Sequence, residues 1–115
     1  MAYSYKKFED KPLTVLIPLG TNIIGGNDAL EFSSLLYDIC KTDIKYVIID
    51  LSDVEVMNSS GLGMLISGLS TLKKYNISLL LSNVPAKVMA LFQMTHLDEI
   101  LNICDDVQSA LVACI

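Results

Sequence analysis

The sequence predicts an α/β domain in which helices pack on a mixed, mostly parallel sheet of about four to five strands. Short apolar runs of strand length alternate along the chain with segments of helical periodicity, which is typical of this architecture. The clearest run, residues 46–51, begins with four consecutive apolar residues and predicts a strand buried on both faces. With 115 residues and no linker, repeat or low-complexity tract, the chain is interpreted as one domain over residues 1–115.

The composition excludes several classes of protein. Hydrophobic residues make up 52% of the chain and charged residues 18%, which excludes a disordered acidic segment. The net charge of −5 and the scattered positions of the eight basic residues argue against binding of nucleic acid, which needs clustered Lys and Arg. No apolar run approaches the ~20 residues of a membrane-spanning helix, and the first residues do not resemble a signal peptide. We therefore expect a cytoplasmic protein without membrane contact.

The N-terminal third of the chain predicts two strands and one helix. Residues 13–17 form a β-branched run that predicts a strand ending at Pro18. Residues 3–8 alternate weakly and could pair with that strand across the turn-like segment that follows them. After two glycines, Asn27 or Asp28 can cap a helix. The inward face of this helix is predicted to consist of Leu30, Ser34, Tyr37 and Cys40, widened by Leu35, Leu36 and Ile39.

The middle of the chain predicts two buried strands with a helix between them. After the strand at residues 46–51 come a short apolar segment at 54–57 and an apolar-periodic helix from about Gly61 to Tyr75. Residues 77–81 predict the second buried strand. Right-handed crossovers place the loops that follow such parallel strands on one edge of the sheet, where α/β domains carry their sites.

The C-terminal part of the chain predicts two more helices and one more strand. Pro85 lies where the first turn of a helix tolerates proline, and residues 86–94 form that helix. Residues 100–103 predict a short third parallel strand. Asp105-Asp106 then begin a last helix over residues 107–113, where the helix dipole favours their negative charge. The inward side chains of the helix at 86–94 are predicted to be Val88, Leu91 and Phe92.

An unusual segment, Asn58-Ser59-Ser60-Gly61-Leu62-Gly63, lies between the strand at 46–51 and the helix that follows. The residues alone leave two interpretations open. One is a capped turn, in which an Asn or Ser side chain accepts a hydrogen bond from the helix start and the glycines allow close packing. The other is that one serine accepts a phosphate, because the N–H groups and positive dipole end of a helix start tolerate an anion. A new charge of about −1.5 to −2 there could repel a partner that docks on an uncharged turn.

Two motifs in this chain occur together in a known family. The first is Asp50-Leu51-Ser52 followed by Met57-Asn58-Ser59-Ser60-Gly61-Leu62-Gly63. The second is Val84-Pro85-Ala86-Lys87-Val88 followed by Leu91-Phe92-Gln93-Met94-Thr95-His96-Leu97. They resemble the signature of the STAS domain, the fold shared by sulphate-transporter tails and bacterial anti-sigma-factor antagonists, and the resemblance covers roughly residues 13–113. The chain departs from the family where Asn58 replaces the usual Asp, and where residues 20–26 replace a G-E-L-D stretch.

The resemblance implies a switch controlled by phosphorylation. The unmodified domain would bind a serine kinase that doubles as an anti-sigma factor, and the sigma factor would be released. The kinase would phosphorylate Ser59, with Ser60 as a helix cap or secondary acceptor, and a serine phosphatase would reset the switch. The exposed side of the following helix and the loop at 22–26 would extend the contact surface. The implied partner-binding residues are Met57, Asn58, Ser59, Ser60, Gly61, Leu62 and Gly63.

An enzyme is the first alternative function, and the sequence offers little for it. His96 is the only histidine, and Gly61-Leu62-Gly63 lacks the lysine that follows the glycines of a P-loop. Cys40, Cys104 and Cys114 lack metal-ligand spacing, so we interpret them as core thiols, with one reactive thiol as the alternative. The sequence therefore predicts no catalytic residue, no metal and no other cofactor.

A non-switching scaffold subunit of a signalling assembly is the second alternative function. The missing Asp at position 58 keeps this alternative open, because it removes a charge that could matter for the kinase. Size would distinguish the two functions. A scaffold subunit should form a large oligomer, whereas a switch should be a monomer or a weak dimer.

Overall fold

A computed structural model describes residues 4–8, 10–20, 22–23 and 27–114, which form seven strands and four α-helices. The strands are β1 (Lys6–Lys7), β2 (Thr14–Pro18), β3 (Asn22–Ile23), β4 (Tyr46–Asp50), β5 (Val56–Met57), β6 (Ser78–Ser82) and β7 (Asn102–Cys104). The helices are α1 (Asn27–Cys40), α2 (Ser59–Lys74), α3 (Ala86–Met94) and α4 (Val107–Ala113), and a single 3₁₀ turn spans Leu97–Glu99. In this described part of the chain, none of the helices has the length and apolarity that a membrane span requires.

The main sheet has the strand order β1-β2-β4-β6-β7, in which β1 is antiparallel to β2 and all other neighbours run parallel. In register, Leu16 of β2 lies opposite Ile48 of β4, which lies opposite Leu80 of β6. The centre of β4 is fully buried at Val47, Ile48 and Ile49, as expected for an apolar strand covered on both faces. A separate short parallel pair joins β3 to β5. The predicted α/β fold with a mixed, mostly parallel sheet is confirmed.

The sheet divides the hydrophobic core into two layers of unequal size. Alternate strand residues such as Val47 face the larger layer, which contains the buried side chains of α1, α2 and α3. The intervening Ile48 faces a smaller layer, to which α4 and the residue after it contribute Ala110 and Cys114. The ammonium group of Lys11 donates a 3.0 Å hydrogen bond to the Cys114 carbonyl, which fastens the end of α4 over this second face.

The inward face of α1 agrees with the predicted one only in part, because Leu36 and Ile39 are buried as expected but other predicted residues are not. Leu30 and Tyr37, which were expected to point inward, are 70% and 51% exposed. Both candidate stripes have the spacing i, i+4, i+7, so periodicity alone does not choose between them. The stripe that contains a phenylalanine buries more apolar surface, and this gain decides the orientation of the helix. The residues of the buried stripe are Phe32, Leu36 and Ile39.

Several element boundaries differ from their predicted positions, those of α2 and β7 among them. Helix α2 begins at Ser59 and not at about Gly61, so both serines lie inside its first turn. Strand β7 begins only at Asn102, because Ile100 still closes the 3₁₀ turn and is 58% exposed. Helix α3 has its predicted bounds, Ala86–Met94, and Pro85 precedes it as the N-cap residue instead of lying in its first turn.

Two local predictions are confirmed. Strand β1 pairs with β2, with Lys6 opposite Leu16; residues 3 and 9, which belong to the predicted strand and turn, lie outside the described residues. Helix α4 begins after Asp106, whose carboxylate accepts a 2.7 Å hydrogen bond from the Ser109 N–H. This hydrogen bond stabilises the charged carboxylate and lowers the pKa of Asp106.

Helices α1 and α2 approach each other closely at Gly68. A Cβ atom added at this glycine would lie 2.9 Å from Leu36 Cδ1 and 3.0 Å from Phe32 Cε2. Both of these side chains are only 1% exposed, and their packed surroundings leave them little room to move. At Gly63, in contrast, an added Cβ atom would meet nothing within 4 Å.

We expect Gly68→Ala and Gly63→Ala to differ in stability, although both place alanine in the same helix. Each substitution gains up to about 1 kcal/mol of helix propensity. At Gly68 the added methyl group must also displace Leu36 and Phe32, an overpacking cost of about 1–3 kcal/mol. Urea denaturation should therefore show Gly63→Ala as the more stable variant by roughly that overpacking cost. Equal free energies of unfolding would mean that Leu36 and Phe32 can move to accommodate the added methyl group.

Candidate functional site

Three parallel strands end side by side at one edge of the sheet. Pro18, Asp50 and Ser82 are Cα partners in register at the ends of β2, β4 and β6. Helix α2 follows β4 and helix α3 follows β6, so the parallel topology brings both helix N-termini to this edge. In α/β domains this edge is where ligands and partners are met, because its loops can vary without disturbing the core.

Asp50 joins the two loops that lead to α2 and α3. Its Oδ1 atom accepts hydrogen bonds from the Ser52 N–H (3.1 Å) and from the Asn83 side-chain amide (3.1 Å), and its Oδ2 atom accepts one from the Ser52 hydroxyl (3.2 Å). Asn83 has a positive φ of 54°, a conformation that asparagine tolerates better than most residues. We call Asp50, Ser52 and Asn83 the loop clamp. The polar residues of the Asp50-Leu51-Ser52 motif thus hold the two loops together.

Asn58 is the residue that caps α2. Its backbone is extended (φ −107°, ψ −176°), and its Oδ1 atom accepts a 2.9 Å hydrogen bond from the Gly61 N–H. Its carbonyl oxygen accepts a hydrogen bond from the Leu62 N–H at 3.0 Å. The prediction that a polar side chain of this segment caps the helix is confirmed, but the cap is Asn58 and not Ser60, which lies inside the first turn.

Ser59 and Ser60 occupy the first two positions of α2, and both are exposed. Because Asn58 provides the cap, neither hydroxyl closes the helix, and neither forms a hydrogen bond within the described residues. The first turn of α2 has no acidic side chain, and its basic residues, Lys73 and Lys74, lie in the last turn. An anion on either serine would meet the unpaired N–H groups and the positive dipole end of α2. We call Asn58, Ser59 and Ser60 the acceptor turn.

The other predicted partner-binding residues differ in exposure. Gly63 is exposed on α2, whereas Gly61 and Leu62 are buried, and the Leu62 side chain belongs to the core. Met57 ends β5 and is half-buried against the core. Of the predicted loop at 22–26, residues 22–23 form β3 beside β5, and residues 24–26 lie outside the described residues. The predicted residues that are exposed are Asn58, Ser59, Ser60 and Gly63.

A groove of about 230 Å³ lies beside Met57, between residues 55–57 and helix α3. Val56 is 51% exposed, and the charged side chains of Glu55 and Lys87 are exposed as well. Sequence patterns do not predict this groove, because its two walls come from segments far apart in the chain. The available signal was the parallel topology, which places the starts of α2 and α3 at one edge. The lining residues are Glu55, Val56, Met57, Lys87, Val88 and Leu91.

The histidine and the three cysteines are the remaining candidates for chemistry. His96 is exposed, with Nδ1 3.5 Å from a carboxylate oxygen of Glu99. The cysteines are free; Cys114 is buried, and Cys40 and Cys104 are half-buried. Burial raises the pKa of each thiol, so all three stay protonated at neutral pH and are poor nucleophiles, which supports the interpretation as core thiols. Among the residues described, no three metal-binding side chains come together at one place.

Comparison with known proteins identifies the family to which the fold belongs. The STAS domain family model matches residues 5–110 of the chain. A candidate anti-sigma factor antagonist from Thermotoga maritima has a TM-score of 0.80 at 23% identity, over 96% of this chain and 92% of that chain. A serine-to-glutamate variant of RsbS from Moorella thermoacetica has a TM-score of 0.81 at 16% identity, over 98% and 94%. The anti-sigma factor antagonist SpoIIAA, unphosphorylated, has a TM-score of 0.72 at 15% identity, over 97% and 96%.

We expect Asn58→Ala to lower the free energy of unfolding by about 1 kcal/mol, because the Gly61 N–H loses its acceptor. Asn58→Asp is the matched control, since it keeps a capping oxygen and adds a charge that favours the helix dipole by about 0.3–1 kcal/mol. Urea denaturation at neutral pH should therefore rank Asp at or above Asn, and Asn above Ala. An alanine variant as stable as the parent would contradict the assignment of the cap.

We expect Asp50→Ala to lower the free energy of unfolding by about 1–2 kcal/mol, because the loop clamp loses its only acceptor side chain. Asp53→Ala removes an exposed carboxylate with no hydrogen bond in the described structure, and should stay within about 0.5 kcal/mol of the parent. Parallel thermal or urea denaturation of the two variants measures the difference. Equal effects would show that the hydrogen bonds of Asp50 contribute nothing beyond its charge.

Proposed function

The chain belongs to the STAS domain family, and we propose that it is an anti-sigma-factor antagonist controlled by phosphorylation of Ser59. In its unphosphorylated form it binds an anti-sigma factor that is also a serine kinase, and the sigma factor is released. The kinase then phosphorylates Ser59, which ends the interaction, and a serine phosphatase restores the unphosphorylated form. Such a regulator acts in the cytoplasm as a monomer or weak dimer.

The observation that carries this proposal is the position of Ser59. Its exposed hydroxyl stands at the first position of α2, and the neighbouring Asn58 provides the cap, so the hydroxyl is available for modification. The resemblance of the Asp50-Leu51-Ser52 and Met57–Gly63 motifs to the family signature supports Ser59 as the phosphoacceptor. SpoIIAA, which shares the fold, is known in an unphosphorylated and a phosphorylated form.

The transfer step requires little of this chain beyond an accessible hydroxyl. Ser59 Oγ attacks the γ-phosphorus of ATP, the bond from that phosphorus to the β,γ-bridging oxygen breaks, and ADP leaves. The hydroxyl proton passes to a base on the kinase, which also positions ATP and neutralises the developing charge. In the reverse direction, the phosphatase directs water onto phosphoserine, and inorganic phosphate leaves the regenerated hydroxyl. The chain is therefore the substrate of both steps and the catalyst of neither.

The phosphate acts on binding through its charge. The exposed residues of the predicted partner-binding segment 57–63 are Asn58, Ser59, Ser60 and Gly63, and all four are uncharged. A phosphoserine adds about −1.5 to −2 charges at neutral pH. A partner that covers this surface would have to strip water from that charge, or meet it with its own negative groups, and both are unfavourable. Phosphorylation at this turn therefore weakens the complex.

Ser60 is the alternative acceptor. It is exposed as well, and it lies about 100° further around the helix than Ser59. A kinase that docks on one side of α2 would therefore reach one of the two hydroxyls in preference to the other. The family motif favours Ser59, and site mapping separates the two.

A non-switching scaffold subunit is the second candidate function. It is favoured by Asn58, which replaces the aspartate of the family motif next to the acceptor serine. A chain from the stressosome, a signal integration and transduction hub, shares the fold at 18% identity and a TM-score of 0.75. Size-exclusion chromatography with light scattering distinguishes the candidates, because a switch elutes as a monomer or dimer and a scaffold subunit as a large oligomer.

We expect Ser59→Ala to retain an anti-sigma factor with kinase activity from the lysate of the source cell, and Ser59→Asp to lose it. The carboxylate imitates part of the phosphate charge, so the affinity should fall at least about tenfold, or roughly 1.4 kcal/mol. The baits are compared with ADP or ATP added, and the captured protein is then tested for phosphorylation of the parent chain.

The control is Ser60→Ala, which should bind and be phosphorylated like the parent. Phosphopeptide mapping after reaction with the captured kinase should place the phosphate on Ser59. Phosphate on Ser60 alone would make Ser60 the acceptor in place of Ser59. No phosphate on either serine would overturn the proposed switch. Equal capture of the same partners by both Ser59 variants would favour the scaffold.

A further inference from the structure

Lys87 belongs to α3 and lines a groove together with the segment that immediately precedes the acceptor turn. It is the second residue of α3 and lines the same groove as Met57, which precedes Ser59 by two positions. Two other residues of α3, Val88 and Phe92, are buried in the core. The backbone that carries Lys87 is therefore held in place relative to the start of α2.

The ammonium group of Lys87 is not committed to another side chain. In the part of the chain that the structure describes, it takes part in no hydrogen bond and no ion pair. Three carboxylates lie between the end of β4 and the start of α2. Glu55 lines the same groove, Asp53 is exposed, and the oxygens of Asp50 are occupied by the loop clamp.

We propose that Lys87 is the side chain of this domain that pairs with a phosphate group on Ser59. The inference rests on the proposed function, because it needs a phosphate at that position. The lysine ammonium is a mobile point charge on a four-carbon stem, so it can follow a phosphate without the fixed geometry of a guanidinium. The phosphate then meets one full positive charge from α3 in addition to the N–H groups and dipole of α2.

This pairing gives phosphorylation a second effect on the surface. In the unphosphorylated domain the exposed Lys87 is available to an acidic group of a partner. Once a phosphate on Ser59 recruits the ammonium, that contact is lost at the same time as the turn becomes negative. Asn58 supports the arrangement, because an aspartate at that position would compete with the phosphate for the same ammonium.

The test uses the full chain with phosphoserine incorporated at position 59 during translation, so that no kinase is needed. The pKa of the phosphate is measured by ³¹P NMR titration between about pH 4 and 8, around the usual value near 6. Lys87→Met should raise this pKa by about half a unit, because the dianion loses its neighbouring cation. Lys87→Arg should restore the parent value, because it returns the charge.

The matched control is Lys74→Met, which removes one positive charge at the opposite end of α2 and should leave the phosphate pKa within about 0.1 unit of the parent value. Glu55→Gln should lower the phosphate pKa, because it removes a carboxylate from the same groove. Equal shifts for Lys87→Met and Lys74→Met, or no shift for Lys87→Met, would overturn the pairing. Since the phosphate is built in, failure of this test is separate from a failure of the kinase to modify Ser59.

Discussion

The burial of β4 on both faces is the constraint on which the rest of the structure depends. Val47, Ile48 and Ile49 are completely withdrawn from water, and burial of each such side chain contributes roughly 1.5–3 kcal/mol. A strand of this kind is stable only between other strands and between two layers of helices. Helices α1, α2 and α3 supply one layer, and the short α4, fastened by Lys11, supplies the other.

The site follows from the same constraint. Parallel pairing of β2, β4 and β6 requires each connection to return over a face of the sheet, so strand ends and helix starts collect at one edge. The N–H groups at the start of α2 need acceptors, and Asn58 supplies one while its backbone leaves the helix. That solution leaves the hydroxyls of Ser59 and Ser60 uncommitted, and the loop clamp of Asp50 holds the neighbouring loops in place. Because Asn58 caps α2, the serine hydroxyls are left available for modification.

Sequence patterns predicted the features whose signals are local. The buried strand β4 and the capped start of α4 could be derived from an apolar run and from Asp106 alone. The inward face of α1 could be derived only in part, because two stripes share one period and the larger apolar burial of the stripe with Phe32, which packs against Gly68 of α2, selects between them. The cap of α2 was ambiguous for a similar reason, since three polar residues in a row can each serve. The structure selects Asn58, whose backbone is extended and whose side chain accepts a hydrogen bond from the Gly61 N–H.

This chain has Asn58 where the family motif has an aspartate, and simple electrostatics predicts how this difference affects the proposed switch. An aspartate at the cap would gain from the helix dipole, but it would do so whether or not Ser59 is phosphorylated, so that gain cancels in the comparison of the two states. Its repulsion of a neighbouring phosphate dianion exists only in the phosphorylated state, and costs about 1 kcal/mol at an exposed site. With asparagine that repulsion is absent. In the proposed switch, the neutral cap would therefore favour the phosphorylated form by about fivefold relative to an aspartate.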